Sequence, residues 1–351
     1  MAPAQSVAAL RHLNDVVRLL RDPHSYPFEN PPNVQRPPNP EAAGSLNDVI
    51  GQHGAKRALV VAAAGGHHLL MVGPPGTGKT MLARRLTRLL PQLPDQQARE
   101  VAAVYSAAGL ACNDRYRPPF RDPHHSALVP AVVGGGSNPC PGEISLAHHG
   151  VLFLDELPHF KPSVLNLLRE PLETRQVSIA RATSRAQFPA GFQLLAAMNP
   201  CPAGQVSRER SCRCSPDQVR RYPGRISGPL LDRIDLHVAV PQVPKQLLLE
   251  GETTPEIAEA DAVASVVQAR KRQAQRQGKL NADLSPRDLA RSPALDTASV
   301  SMLSIASDRF QLSARGYHRV LKVARTVADI EQSADIRPAH VAESLSYRAM
   351  D

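Results

Sequence analysis

The stretch Gly73-Pro74-Pro75-Gly76-Thr77-Gly78-Lys79-Thr80 constrains this chain more than any other. It follows the apolar run Leu69-Leu70-Met71-Val72 and opens into Met81-Leu82-Ala83-Arg84-Arg85-Leu86, a segment of helix formers. A strand, a glycine loop and a helix in that order make the setting of a phosphate-binding loop. The glycines reach conformations a Cβ forbids, so backbone N–H groups can turn inward around phosphate oxygens. Lys79 supplies a charge to the β- and γ-phosphates, and the Thr80 hydroxyl can ligate Mg²⁺. Binding of a nucleoside triphosphate follows.

Hydrolysis needs partner residues. Val151-Leu152-Phe153-Leu154 reads as a fully buried central strand that ends in Asp155 and Glu156. Beside a phosphate-binding loop, Asp155 would join the Mg²⁺ shell and Glu156 would polarise the attacking water. A third apolar run, Phe192–Met198, ends at Asn199, a polar side chain at the carboxyl end of a strand, where open α/β sheets bind ligands. Further on, Arg233 follows a short helical stretch, and Arg315 opens an amphipathic helix carrying Val320, Leu321, Val323 and Ala324. The bland alternative for Arg233 is a surface ion pair with Asp232 or Asp235.

These motifs, in this order, resemble the AAA+ ATPases, within them the magnesium-chelatase-like branch that includes the MCM helicases, and most closely the ComM (YifB-like) family. The residues that carry the resemblance are Gly51-Gln52, Gly65-Gly66-His67, the loop above, Asp122-Pro123-His124-His125, Gly134-Gly135-Gly136 and Gly150 to Leu157. Ala197 to Pro202, Ile226 to Asp235 and Ala314 to His318 complete the set. The resemblance implies an α/β core with a parallel sheet between helices, inserted β-hairpins and a C-terminal helical lid. It makes Asn199 the first sensor, Arg233 an arginine finger acting on a neighbouring subunit's nucleotide, and Arg315 the second sensor over the nucleotide. The implied activity is an ATP-driven, ring-forming (hexameric) DNA motor for branch migration in natural transformation. The alternatives are a magnesium-chelatase remodelling subunit, and an assembly factor with little turnover.

Two hairpins are expected. The separation of Lys79 from Asp155 exceeds what one helix, one strand and their loops need, and the surplus falls in the irregular, glycine- and proline-rich stretch around 110–148. The resemblance places a hairpin insertion there. A second hairpin is read from the alternation Gln176–Arg181, the polar turn Ala182-Thr183-Ser184 and the return Arg185–Phe188. In the helicase relatives such a hairpin lines a pore. Arg181 and Arg185 near its tip suit phosphate contacts, or are simply solvated.

The formal charge of +9 fits a polyanion partner such as DNA without proving one. With no Trp and aromatics at 4%, base stacking is a poor main mode of binding, so backbone electrostatics would dominate. No apolar run reaches the ~20 residues of a membrane span, and the start lacks a signal-peptide core, so a cytoplasmic protein is expected. Five cysteines, an odd number, do not form a secreted disulfide framework. Cys201, Cys212 and Cys214 cluster, but Ala203 stands where the family commonly has a further cysteine, so zinc there is disfavoured. His124-His125 and His148-His149 are read against metal binding, because adjacent histidines usually diverge and no acid or thiol completes a familiar spacing.

The organisation expected is an amphipathic helix over 1–21, with Val7, Leu10, Leu13, Val17 and Leu20 at helical spacing, and a proline-rich linker over 22–45. The ATPase core then spans 46–245 and the helical lid 254–351. ComM relatives carry a Lon-like domain upstream, and residues 1–21 resemble its tail, which implies a shortened chain or a late start.

Overall fold

The computed structural model of this chain describes residues 13–22, 44–135, 139–180, 185–203, 214–250, 258–290, 295–309 and 312–348. Residues 1–40 and 41–351 form separate units. In the first, the expected amphipathic segment is helical over α1 (Leu13–Arg21), with Val17 and Leu20 exposed. The earlier residues of that segment and nearly all of the proline-rich stretch lie outside the described residues.

The second unit begins with α2 (His53–Gly65), which is buried over most of its length. It leads to β1 (Leu69–Val72) and, through the glycine loop, to α3 (Lys79–Leu89). After α4 (Asp95–Ala107) and the short β2 (Phe120–Arg121) comes the inserted region. There α5 (Val129–Val133) and α6 (Glu143–Leu146) flank an antiparallel pair, β3 (Gly134–Gly135) and β4 (Cys140–Pro141). The expected hairpin insertion is therefore present, short and glycine-rich. Next are β5 (Val151–Leu154), α7 (Pro162–Leu167) and α8 (Arg169–Thr174). The second expected hairpin follows as β6 (Gln176–Ala180) paired antiparallel with β7 (Arg185–Pro189). Then come β8 (Gln193–Met198), α9 (Pro216–Arg221), α10 (Gly228–Leu231), β9 (Leu236–Ala239) and α11 (Lys245–Glu250). Among the described residues five α-helices follow: α12 (Glu259–Gln277), α13 (Pro286–Ala290), α14 (Thr297–Arg309), α15 (Ala314–Ile330) and α16 (Pro338–Ser346).

The main sheet has the order β2-β5-β8-β1-β9 and every pairing in it is parallel. Both faces are covered by helices, which is why β5 and β8 are apolar at nearly every position and buried throughout. Polar anchors set the register of the central strands. His68, which burial drives down to about 4, is a neutral imidazole whose Nδ1 accepts the Leu194 N–H at 2.9 Å. The amide of Gln193 donates to the carbonyls of Ala62 and His67, tying the start of β8 to the end of α2.

The C-terminal helices do not stand apart from the sheet. Ala262, Val266 and Ala269 of α12, with Val323 and Val327 of α15, share one apolar core with α2, α3, β1 and β9. A second apolar core lies on the other face, under α7, α8 and the hairpin β6–β7.

Candidate active site

Three strand ends converge beside the glycine loop. Gly73 follows β1 and Asn199 follows β8, while Asp155 follows β5, all at the carboxyl edge of the parallel sheet. Gly73 is required by close approach: a Cβ there would stand 2.1 Å from the Val240 carbonyl oxygen. Gly76 and Gly78 are required by conformation, with φ of +76° and +87°, and a Cβ on either would meet nothing within 4 Å. The loop is thus an open concavity with two left-handed turns of backbone, the shape that takes phosphate oxygens. Thr77 closes it on one side, its hydroxyl donating to Pro74 O at 3.0 Å.

Lys79, the first residue of α3, folds its ammonium into this concavity. Nζ donates to the carbonyls of Gly73 and Pro74, both at 2.7 Å, and to Asn199 Oδ1 at 3.2 Å. Burial pushes the ammonium below the ordinary lysine value, while the nearby charges of Asp155 and Glu156 act the other way. The Thr80 hydroxyl donates to Asp155 Oδ2 at 2.6 Å. The two expected Mg²⁺ ligands are therefore in contact, and a hydroxyl and a carboxylate are the oxygen donors that hard cation takes.

Glu156 sits next along, at φ +54°, a costly conformation for a non-glycine residue and one that collects at functional sites. Its carboxylate is half-exposed and faces two imidazoles that the sequence reading did not assign: His159 Nδ1 at 3.1 Å and His125 Nδ1 at 3.4 Å. The signal for His125 was available, since it lies in the Asp122–His125 motif; His159 is brought in only by the turn after Glu156. Gln52 also reaches the loop, its amide donating to Pro241 O at 2.6 Å and Thr77 O at 3.4 Å.

The two arginines lie elsewhere. Arg233 precedes β9, and its guanidinium donates to Glu173 and to the Pro229 carbonyl. It is not paired with Asp235, which accepts the His68 N–H at 3.2 Å and faces His67 Nδ1 at 3.5 Å and Arg319 Nε at 3.7 Å. Burial would raise the Asp235 carboxyl, but His67, His68 and Arg319 hold it well below the usual carboxylate range. Arg315 lies in the first turn of α15, which Ser313 caps by accepting the Gly316 N–H at 3.1 Å. Arg233 and Arg315 line one crevice of about 440 Å³ together with Gly66, His68 and Phe192.

Gly66, His68, Phe192 and Arg233 all precede strands, so this crevice opens at the amino edge of the sheet. Strands of four to six residues at ~3.3 Å each put it ~10–20 Å from the glycine loop. The expectation of a lid laid over the chain's own nucleotide is corrected here. The apolar faces of α12 and α15 pack into the core beside α2, which sets the start of α15 beneath the sheet instead of above the loop.

Arg185 opens β7, and Arg181 lies outside the described residues. Cys201 is buried and Cys214 half-buried, neither in a disulfide among the described residues, while Cys212 lies outside the described residues. His148 and His149 do not diverge: their tilted rings have centroids 3.8 Å apart, and Glu100 joins them in a group of three potential metal ligands. The hydrogen bonding decides against an ion. His148 Nδ1 accepts the Gly191 N–H at 3.0 Å, so its proton is on Nε2, facing Glu100 at 3.3 Å, and no lone pair on Nε2 is left for a metal. Burial keeps His148 neutral, its value driven down to about 4. Among the described residues no helix is long and apolar enough to cross a membrane.

Residues 45–248 match the family described as magnesium chelatase, subunit ChlI, and residues 257–348 match the C-terminal region of the same subunit. The competence protein ComM of Haemophilus influenzae is 50% identical over 311 residues, covering 87% of this chain and 60% of that protein. The uncharacterized protein YifB of Escherichia coli is 45% identical over 348 residues, covering 97% of this chain and 67% of its own length. A fainter likeness, 25% over 206 residues, covers 55% of this chain and 21% of the DNA replication licensing factor mcm6 of Dictyostelium discoideum. The chain thus spans about two thirds or less of the length of these relatives.

Proposed function

This chain belongs to the magnesium chelatase subunit ChlI family, in the branch of ComM and YifB, and on that premise we propose that it is the ATP-hydrolysing motor of a ring that moves on DNA. Gly73 to Thr80 hold the triphosphate, and Lys79 exchanges Asn199 and the loop carbonyls for phosphate oxygens. Thr80 and Asp155 hold Mg²⁺, which neutralises phosphate charge when bound. Glu156 takes the proton of the attacking water, and Asn199 orients that water or the γ-phosphate.

One observation carries the reading. The acids and the phosphate loop lie at one edge of the sheet, and Arg233 and Arg315 lie at the other. Neither arginine can reach its own chain's phosphates across that distance. Both therefore serve the nucleotide of a neighbouring subunit, which makes assembly into a closed ring, a hexamer, part of the active site. DNA as the track is supported by the net charge of +9, by the hairpin β6–β7 with Arg185 on its return strand, and by the competence and licensing roles in the names of relatives.

The test is the ATPase rate against protein concentration, with and without single-stranded and branched DNA, for the wild type and for Glu156→Gln and Arg233→Ala. Cooperative dependence on concentration, stimulation by DNA and loss in both variants support the motor. A flat, DNA-independent rate that survives Arg233→Ala refutes it.

A further inference from the structure

Arg233 and the hairpin β6–β7 come from separate parts of the chain, yet one short helix joins them. Glu173, the penultimate residue of α8, is the acid that Arg233 grips through Nη2. Arg175 follows as the left-handed cap of α8, at φ +59°, and its guanidinium pairs with Asp283 of the helical region. The Arg175 carbonyl accepts the Ala190 N–H at 2.7 Å, so the same residue closes the far leg of the hairpin. The base of the hairpin is thus held from two sides within three residues: by Arg233 through Glu173, and by the helical region through Arg175.

The two holds differ in which partner is exposed. In the Arg175–Asp283 pair it is the guanidinium, at 60% against 23% for the acid, and in the Arg233–Glu173 pair it is the carboxylate, at 54% against 12% for the guanidinium. An exposed carboxylate is a weak partner for a guanidinium, and a phosphate oxygen is a stronger one. Of the other acids that line the crevice, Asp235 is already engaged by His67, His68 and Arg319, and Asp283 by Arg175. Glu173 is therefore the acid that an incoming phosphate displaces.

We infer that Glu173 is the residue that couples the arginine finger to the hairpin. It restrains Arg233 while no triphosphate faces the crevice. When Arg233 turns to a neighbouring subunit's γ-phosphate, Glu173 is released, α8 loses its tie to the β9 segment, and the hairpin is free to move. The inference rests on the trans role of Arg233 proposed above and assigns it a consequence within its own chain.

The test is hydrogen–deuterium exchange of the strands 176–180 and 185–189 in the assembled protein, with a non-hydrolysable ATP analogue and with ADP. It compares the wild type, Glu173→Gln and Glu173→Asp, with ATPase rates measured on the same samples. In the wild type the hairpin amides exchange at least about threefold faster with the analogue than with ADP, the mark of a local opening. In Glu173→Gln both states exchange at the fast rate, while the core strands β5 and β8 stay protected. Glu173→Asp, which keeps the charge and shortens the reach, retains part of the difference. A wild-type hairpin indifferent to nucleotide overturns the inference, and so does a difference that survives intact in Glu173→Gln. Should Glu173→Gln lose protection across the whole sheet, Glu173→Asp decides between the two outcomes. An ATPase that is concentration-independent and insensitive to Arg233→Ala refutes the motor instead, and is read separately.

Discussion

Replacing Asp235 by Asn removes a charge from the junction between the sheet and α15 while changing the shape hardly at all. Asp235 and Arg319 are only 10% and 13% exposed in their side chains, with Nε–Oδ1 at 3.7 Å, so the pair is judged as a buried one. An Asn oxygen still accepts the His68 N–H, but Arg319 loses the carboxylate it pairs with and His67 its acidic neighbour. Breaking a buried pair from one side costs ~3–5 kcal/mol. The long contacts and the retained hydrogen bond point to the lower end, about 3 kcal/mol, which for a chain of this size lowers the melting temperature by roughly 4 °C. Thermal unfolding at pH 7 and low salt measures it. A second substitution, Arg319→Met in the same chain, removes the stranded charge and recovers about 1 kcal/mol or more. The native Asp235 carboxyl is held below its unfolded value of about 3.9, so its contribution is complete above that pH and is lost only as the pH falls toward the native value. A loss below about 1 kcal/mol for Asp235→Asn, or no recovery with Arg319→Met, refutes the argument that the pair is shielded from water.

Glu156→Gln keeps nucleotide binding, since Lys79, Thr80 and Asp155 are untouched, and lowers turnover ~10²–10⁴-fold; equilibrium nucleotide binding beside steady-state rates checks both halves. Gly73→Ala drives a methyl to 2.1 Å from the Val240 oxygen and spreads β1 from β9 at the mouth of the loop, so nucleotide affinity falls about tenfold or more, as overpacking strain of ~1–3 kcal/mol requires. Gly54→Ala, exposed in the first turn of α2 with nothing within 4 Å of the new carbon, stabilises by up to about 1 kcal/mol and leaves binding unchanged. His68 and His148 both sit near 4 against 6.5 when unfolded, so stability is full above about pH 6.5 and falls as the pH drops toward 4. His68→Asn, whose side-chain oxygen can still accept the Leu194 N–H, removes about one proton from that slope in urea titrations between pH 4 and 7.

Much of the active site was legible along the chain because its chemistry is local. The glycine loop is one contiguous octapeptide, and Asp155 with Glu156 ends a strand whose apolar residues already mark it as central. Asn199 could be placed at a strand edge because the apolar run Phe192–Met198 ends there. The hairpin β6–β7 was readable for the same reason, since alternation over five residues and a polar turn need no tertiary partner. Other residues gave no such signal. Glu173 reads as one more acid in a surface helix, and only the packing of α8 beside the β9 segment sets it against Arg233. The approach of adjacent histidines was misjudged, because the backbone at His149, φ +57°, turns its ring back onto His148.

The sequence by itself determined a phosphate-binding loop and strand-end acids on a parallel α/β sheet, because period, loop glycines and strand-end acids are properties of short segments. Only the tertiary structure decided on which edge of the sheet Arg233 and Arg315 stand. The helical pattern of α15 shows which of its faces is apolar, but not which surface that face will cover. Its apolar residues, with those of α12, complete the core around α2, and that burial carries the first turn of α15 to the amino edge of the sheet, away from the chain's own nucleotide loop.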